Sequence, residues 1–244
     1  MKIPAHWSRA TAEETDRDGK EASFSCWRWS DTSVEDAQAS ALDAARRILR
    51  NFLGGGERNR YAYGDGALRE EVLQRITGPR GELVAAVTQN TYGSLVLSTA
   101  RVMFIDLDFP ATRPGEHLRH FVTRWFDKSA RDPDAQREDD ARSRLKSFLK
   151  DNPQWGVRVY RTCAGLRVLV THALFDPTAD STQPLFESLG TDPLYVRLCR
   201  AQGSFRARLT PKPWRCGHAS NTIGWPRETD DAQRQFEKWN ATNL

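Results

Sequence analysis

The sequence predicts an α/β (α+β) chain, a mixed β-sheet with flanking helices folded as one globular unit. Three observations carry that prediction. Short apolar or alternating runs bounded by Gly, Pro and Asn recur, among them "GELVAAVTQN", "SLVLSTARVMFIDLDF" and "WGVRVYRTCAGLRVLVTHAL". The segment "SDTSVEDAQASALDAARRILRNFLGGG" has 3.6-residue periodicity, opens on capping residues and closes on glycine. The 244 residues, 39% hydrophobic and 28% charged, have an ordinary globular composition and are enough to bury a real core.

Taken in chain order, residues 1–21 are mostly polar and are expected to form a flexible tail, with a single α/β domain over 22–244. "SFSCWRW" (23–29) alternates as a strand does. The periodic segment that follows is a helix: Thr32 or Ser33 caps it, Glu35 or Asp36 sits where a capping-box acid would, and Gly54 ends it. Its expected apolar stripe is Val34, Ala37, Ala41, Ala45, Ile48 and Phe52. "GALREEVLQRI" (66–76) predicts a short helix, and residues 81–109 hold two or three strands with turns at Gln89-Asn90 and Gly93. A helical insertion over about 115–150 separates two strand-rich halves. Its first helix, "RPGEHLRHFVTRWFDKS", carries Leu118, Phe121, Val122 and Trp125 on one side. The polar connection "SARDPDAQREDD" leads to a second, "DARSRLKSFLKDNP", which ends before Pro153. Residues 155–174 read as a hairpin turning at Ala164-Gly165, "STQPLFESLG" as a helical turn, and "SFRARLTPKPWR" as an extended segment. There is no internal repeat.

No apolar stretch approaches the roughly 18–20 residues that span a bilayer, and the N-terminus lacks the apolar core of a signal peptide. A cytoplasmic protein without a membrane partner is expected. Cys26, Cys163, Cys199 and Cys216 are far apart and form no C-x-x-C. Cys216-Gly217-His218 is a lone Cys/His pair, so reduced thiols are favoured over a structural zinc.

The net charge is +4, unevenly spread. Pro193 to Arg227 contains no Asp or Glu but holds Arg197, Arg200, Arg206, Arg208, Lys212, Arg215 and Arg227, interleaved with Phe205, Trp214 and Trp225. A cationic, aromatic block of this kind suits phosphate-bearing partners. Alternation puts Arg206 and Arg208 on one face of "SFRARL", and Pro211 and Pro213 hold Lys212 in a stiff loop. These cations either meet a triphosphate or nucleic-acid backbone or neutralise Asp106, Asp108 and Asp192 internally.

"FIDLDFP" (104–110) sets Asp106 and Asp108 at the end of a strongly apolar strand, both on one face. Close carboxylates repel, and the usual relief is a divalent cation such as Mg²⁺; the other solution is that only one acid points inward to an arginine while its neighbour marks the strand end. In "VYRTCAGLRVLVTH" the small Ala164-Gly165 would let a phosphate approach the backbone beside Arg167.

The order of these parts resembles the archaeo-eukaryotic primase superfamily of primases and primase-polymerases, over about residues 95–215. "FIDLD" is similar to its first motif. "RTCAGLRVLVTH" looks like the second, with Arg167 where the family has a histidine. "TDPLYVRLCRAQGSFRARLTPKP" looks like the third, with Asp192 as its acid. The resemblance implies a primase-polymerase-like fold. It further implies nucleotidyl transfer from nucleoside triphosphates on DNA or RNA, with Mg²⁺ or Mn²⁺ held by catalytic Asp106, Asp108 and Asp192. Arg167, Arg206, Arg208 and Lys212 would then bind phosphates. On the same fold, the alternative is a non-catalytic module that binds single-stranded nucleic acid, Trp214 or Trp225 stacking on bases, and Arg167 in the altered second motif favours it. A nucleotidyltransferase of the DNA polymerase beta type is a third reading, since Gly93-Ser94 precedes Asp106 at a compatible interval. A partner-binding protein whose arginines meet acidic protein surfaces is a further one.

Overall fold

His6–Thr15 form β1, paired antiparallel along its whole length with β2 (Glu21–Ser30), from His6 opposite Ser30 to Thr15 opposite Glu21. The tail expected over 1–21 is thus corrected: most of it is strand, because β2 supplies the ladder partner that these polar residues lack alone. The computed structural model describes residues 1–15, 19, 21–54, 67–109 and 133–243. They divide into two compact units rather than one: Met1–Ser98 with Ala207–Leu244, and Thr99–Arg206. The helix expected over 113–129 lies outside the described residues.

In the first unit, α1 (Val34–Leu53) starts at Ser33, whose Oγ accepts the Asp36 N–H at 3.1 Å. Such a cap contributes about 1 kcal/mol. Ala37, Ala41, Ala44, Ala45 and Leu49 are buried, and the Leu49 cluster reaches Ala12, Ala22 and Cys26 of the two-stranded sheet. Val34 and Phe52 are exposed; the buried stripe is centred instead on the alanines that let α1 lie close to the sheet.

A four-stranded sheet runs in the order β3 (Glu71–Thr77), β4 (Leu83–Gln89), β5 (Leu95–Thr99), β9 (Phe205–Arg208). β3 replaces the helix expected at 66–76: its residues favour helix weakly, and antiparallel pairing with β4 overrides that preference. The β4–β5 turn is closed by Asn90 N–H to Ser94 O at 3.0 Å and Gly93 N–H to Asn90 O at 2.9 Å. Gly93 has φ +94, and a Cβ there would lie 1.9 Å from Cη2 of Trp239. Trp239 belongs to α5 (Asp230–Asn243), whose Phe236 is buried. Gln89 Nε2 donates to Gly93 O at 2.9 Å and to Asn240 Oδ1 at 2.8 Å, fastening the last helix to the turn.

The second unit holds the three-stranded antiparallel sheet β6 (Phe104–Asp108), β8 (Gly165–Val170), β7 (Val157–Arg161), in that order. The described strands therefore fall into three sheets, not the single mixed sheet expected. The helices of this unit are α2 (Pro133–Asp151), α3 (Gln183–Leu189) and α4 (Pro193–Gln202). α2 begins inside the stretch expected as a polar connection. Ile105, Leu107, Leu166, Val168, Val170, Phe186 and Phe205 are buried in its core. No helix among the described residues is long and apolar enough to cross a membrane.

Candidate nucleic-acid interface and the acidic strand

β6 alternates as its sequence demands: Ile105 and Leu107 are buried, while Asp106 is half-buried and Asp108 exposed on the other face. The antiparallel register sets Asp106 directly opposite Arg167 on β8. The two form a bidentate pair, Arg167 Nε to Asp106 Oδ1 at 2.7 Å and Arg167 Nη2 to Oδ2 at 2.9 Å. Burial by itself would lower the Arg167 pKa, but the hydrogen bonds and charge of Asp106, with a further attraction from Asp108, outweigh it and raise it. Of the two solutions open at the strand end, the arginine is the one present for Asp106.

Asp192 is the N-cap of α4, its Oδ1 accepting the Leu194 N–H at 3.1 Å, and its own N–H reaches Asp106 O at 3.4 Å. The third acid therefore sits beside the strand that carries the other two, but its carboxylate serves a helix. Both oxygens of Asp106 are already engaged, and the described residues contain no group of three or more His, Cys, Asp or Glu placed to hold a metal ion. As arranged, these side chains do not fit the Mg²⁺ or Mn²⁺ that the resemblance implies.

Gly165 answers a packing need. It lies opposite Asp108, and a Cβ there would come within 2.2 Å of Leu107 O, so the backbone of β6 fills the space. Tyr195, buried on α4, places its hydroxyl 3.0 Å from both Phe104 O and Arg206 O and accepts the Arg206 N–H at 3.3 Å. Burial drives this phenol well above its ordinary pKa and pushes the neighbouring Cys199 thiol up to about 12. Sequence reasoning missed Tyr195, whose polar tip joins three elements; only its i+3 spacing from Asp192 in a helix start hinted at it. His172 packs at 4.6 Å between ring centroids on Trp155 and at 5.8 Å on Phe175, a structural role.

On β9, Phe205 and Ala207 are buried while Arg206 and Arg208 are half-buried, the alternation the sequence predicts. Arg206 closes the second unit and Arg208 belongs to the first. Arg206 Nη1 lies 3.5 Å from Gln202 Oε1.

After β9, the segment 209–221 is tied down at many points within the first unit. Leu209 N–H donates to Leu95 O (2.8 Å), Leu95 N–H to Thr210 Oγ1 (2.9 Å), and Ser94 Oγ to Pro211 O (3.0 Å). Pro213–Cys216 form a 3₁₀ turn closed by Arg215 N–H to Lys212 O (2.9 Å) and His218 N–H to Pro213 O (3.0 Å). Asn221 N–H reaches back to Tyr92 O at 3.3 Å. On this frame Trp214 is 49% exposed, its ring 5.3 Å from Tyr92 in an edge contact and 5.2 Å from the Lys212 ammonium. Arg215 and His218 are exposed beside it. Trp225 is half-buried and faces Arg227 at 5.2 Å. Cys216 is exposed, and no described residues join it and His218 in a metal-ligand group. Gly93-Ser94 lies in a strand–strand turn, not at a helix start.

The chain matches no family model, no curated protein and no solved structure.

Proposed function

We propose that this chain is a non-catalytic module that binds single-stranded nucleic acid through the strip Lys212–His218, on a fold of the primase-polymerase type. The observation that carries the reading is Trp214: a large aromatic half open to water, held by a proline-stiffened, hydrogen-bonded loop, with Lys212 over its ring. A rigid indole loses little entropy when a base stacks on it, and such stacking contributes about 1–3 kcal/mol per base. The cations around it, with no Asp or Glu between Pro193 and Arg227, suit the sugar-phosphate chain. The Asp106–Arg167 pair supports the non-catalytic half of the reading, because it occupies both oxygens of the first motif's leading acid with the residue that replaces the second motif's histidine.

The experiment is fluorescence anisotropy of labelled single-stranded DNA and RNA across a salt series. Binding should weaken as salt rises, with a log–log slope of about −1.4 if Lys212 and Arg215 neutralise two phosphates. Trp214→Ala should weaken it roughly 5–150-fold, the value of one stacked base. Binding indifferent to salt would point to an acidic protein partner instead.

Metal-dependent nucleotidyl transfer at Asp106, Asp108 and Asp192 is the second reading, favoured by the Asp192 N–H on Asp106 O, which sets the backbone of the third acid beside the strand that carries the other two. Incorporation of labelled nucleotides on a primed template with Mg²⁺ or Mn²⁺, abolished by Asp108→Ala, would establish it over the first.

A further inference from the structure

Two arginines of the first unit meet at a small cavity lined by Arg69, Glu71, Asn221, Trp225, Arg227 and Phe236, among others, with a volume of about 10 Å³. The Arg227 side chain is 3% exposed. Its Nη2 donates to Glu71 Oε2 at 2.7 Å, but Nε and Nη1 are buried and have no hydrogen-bond partner. Arg69 Nη1 is buried and unpartnered as well. Flat aromatic surfaces hold both groups in place: the Arg227 guanidinium carbon lies 3.3 Å from the Phe236 ring centroid and 5.2 Å from Trp225, and that of Arg69 lies 4.2 Å from Trp27.

We propose that this cavity is an oxyanion site, taking one oxygen of a phosphate or carboxylate group between Arg69 and Arg227. Three facts converge on it. Guanidinium donors stay charged at every accessible pH, so leaving three of their nitrogens buried and unmet is among the most unfavourable arrangements a fold can keep. The charged residues lining the cavity are Arg69, Arg227 and Glu71, so two guanidinium groups face it beside one carboxylate. Nearby Arg9 and Glu228 pair with each other at 2.9 Å, and the buried Glu70 carboxylate, which accepts the Thr88 hydroxyl at 2.6 Å, lies outside the lining. Finally, the space admits about one water-sized atom. A water oxygen accepts two hydrogen bonds, whereas an oxyanion oxygen accepts three and carries the opposing charge. The rest of the ligand would stand outside in solvent, so the site reads an anionic terminus and not a whole small molecule. This inference is independent of the nucleic-acid reading.

The test is titration calorimetry of the full chain with inorganic phosphate, with sodium acetate and sodium chloride as parallel arms at matched ionic strength. Saturable binding of phosphate or acetate is expected, weakened at least tenfold in Arg69→Gln with an unchanged far-ultraviolet circular dichroism spectrum. Acetate alone would assign a carboxylate ligand, phosphate alone a phosphate. A second measurement needs no variant: in the wild-type chain, phenylglyoxal labelling of the half-buried Arg69, mapped by mass spectrometry, should slow when the bound anion is present. No saturable binding of either oxyanion, binding of chloride alone, binding unchanged in Arg69→Gln, or labelling indifferent to the anion would each overturn the assignment.

Discussion

Removing the Asp106 carboxylate gives the sharpest view of what the acidic strand is for. Arg167 and Asp106 are 14% and 24% exposed as side chains, so each is largely withdrawn from water and each is the other's bidentate partner. Removing one member of a buried pair typically costs 3–5 kcal/mol, because the remaining charge is stranded. Partial exposure and the neighbouring Asp108 lower that figure, and Asp106→Ala is expected to destabilise the second unit by about 2–3 kcal/mol. Asp106→Asn keeps one acceptor and should cost roughly half as much. The double variant Asp106→Leu/Arg167→Met removes both charges and should recover to within about 1 kcal/mol of wild type, since apolar pairs of similar size often replace buried ion pairs without loss. Urea unfolding reads these values directly. At a slope of about 2 kcal/mol per M, Asp106→Ala shifts the midpoint down by about 1 M. Hydrogen exchange at the β8 amides should accelerate in step, which localises the loss to this sheet. A midpoint for Asp106→Ala within about 0.5 kcal/mol of wild type would refute the reasoning. The pair would then hold nothing together, and the carboxylate would be better explained by chemistry than by structure.

Three further outcomes follow from the geometry. Gly165→Ala drives a Cβ to within 2.2 Å of Leu107 O, an obstruction made of backbone, so β6 and β8 must separate locally at a cost of at least about 2 kcal/mol in urea unfolding; a neutral substitution would contradict the register. With its thiol pushed by burial up to about 12, well above the ordinary range, Cys199 binds its proton more tightly when folded. Its contribution is therefore complete below about pH 9 and falls by about 1.4 kcal/mol per pH unit from there towards 12, so the urea midpoint should hold from pH 7 to 8 and decline above 9. A midpoint that rises between pH 9 and 11 would reverse the sign. Exposed Cys163 and Cys216 should react quickly with a disulfide reagent in the native protein while Cys199 stays silent until unfolding; fast labelling of Cys199, identified by mass spectrometry, is the contrary result.

Local signals made much of the chain legible. α1 was readable because cap, period and terminal glycine agree, and the hairpin of β7 and β8 because its apolar alternation is interrupted only at small residues. β1 was not legible: "HWSRATAEET" has little apolar content, and its strand state depends on a partner six or more residues away in β2 and on α1 beneath. β3 was hidden for the opposite reason, since Glu, Leu, Gln and Arg favour a helix that pairing with β4 prevents. At the acidic strand, the sequence placed Asp106 and Asp108 on one face but could not choose between a cation and an arginine, because that choice lies in the cross-strand register of residues 61 positions apart. Asp192 looked like a ligand through the resemblance to the third primase motif and is a helix cap by position, a role that its following proline, Pro193, could have suggested. The oxyanion cavity joins Arg69 to Arg227 across most of the chain, and nothing local announces it.

Whether Trp214 carries nucleic-acid binding is the most direct test of the proposed function. Anisotropy of a fluorescent single-stranded oligonucleotide at low salt, measured for wild type and Trp214→Ala, tests it. The expected result is salt-sensitive binding by wild type, reduced roughly 5–150-fold in the variant while the urea midpoint stays unchanged. Wild type that fails to bind at low salt, or a variant that binds as tightly, would contradict it.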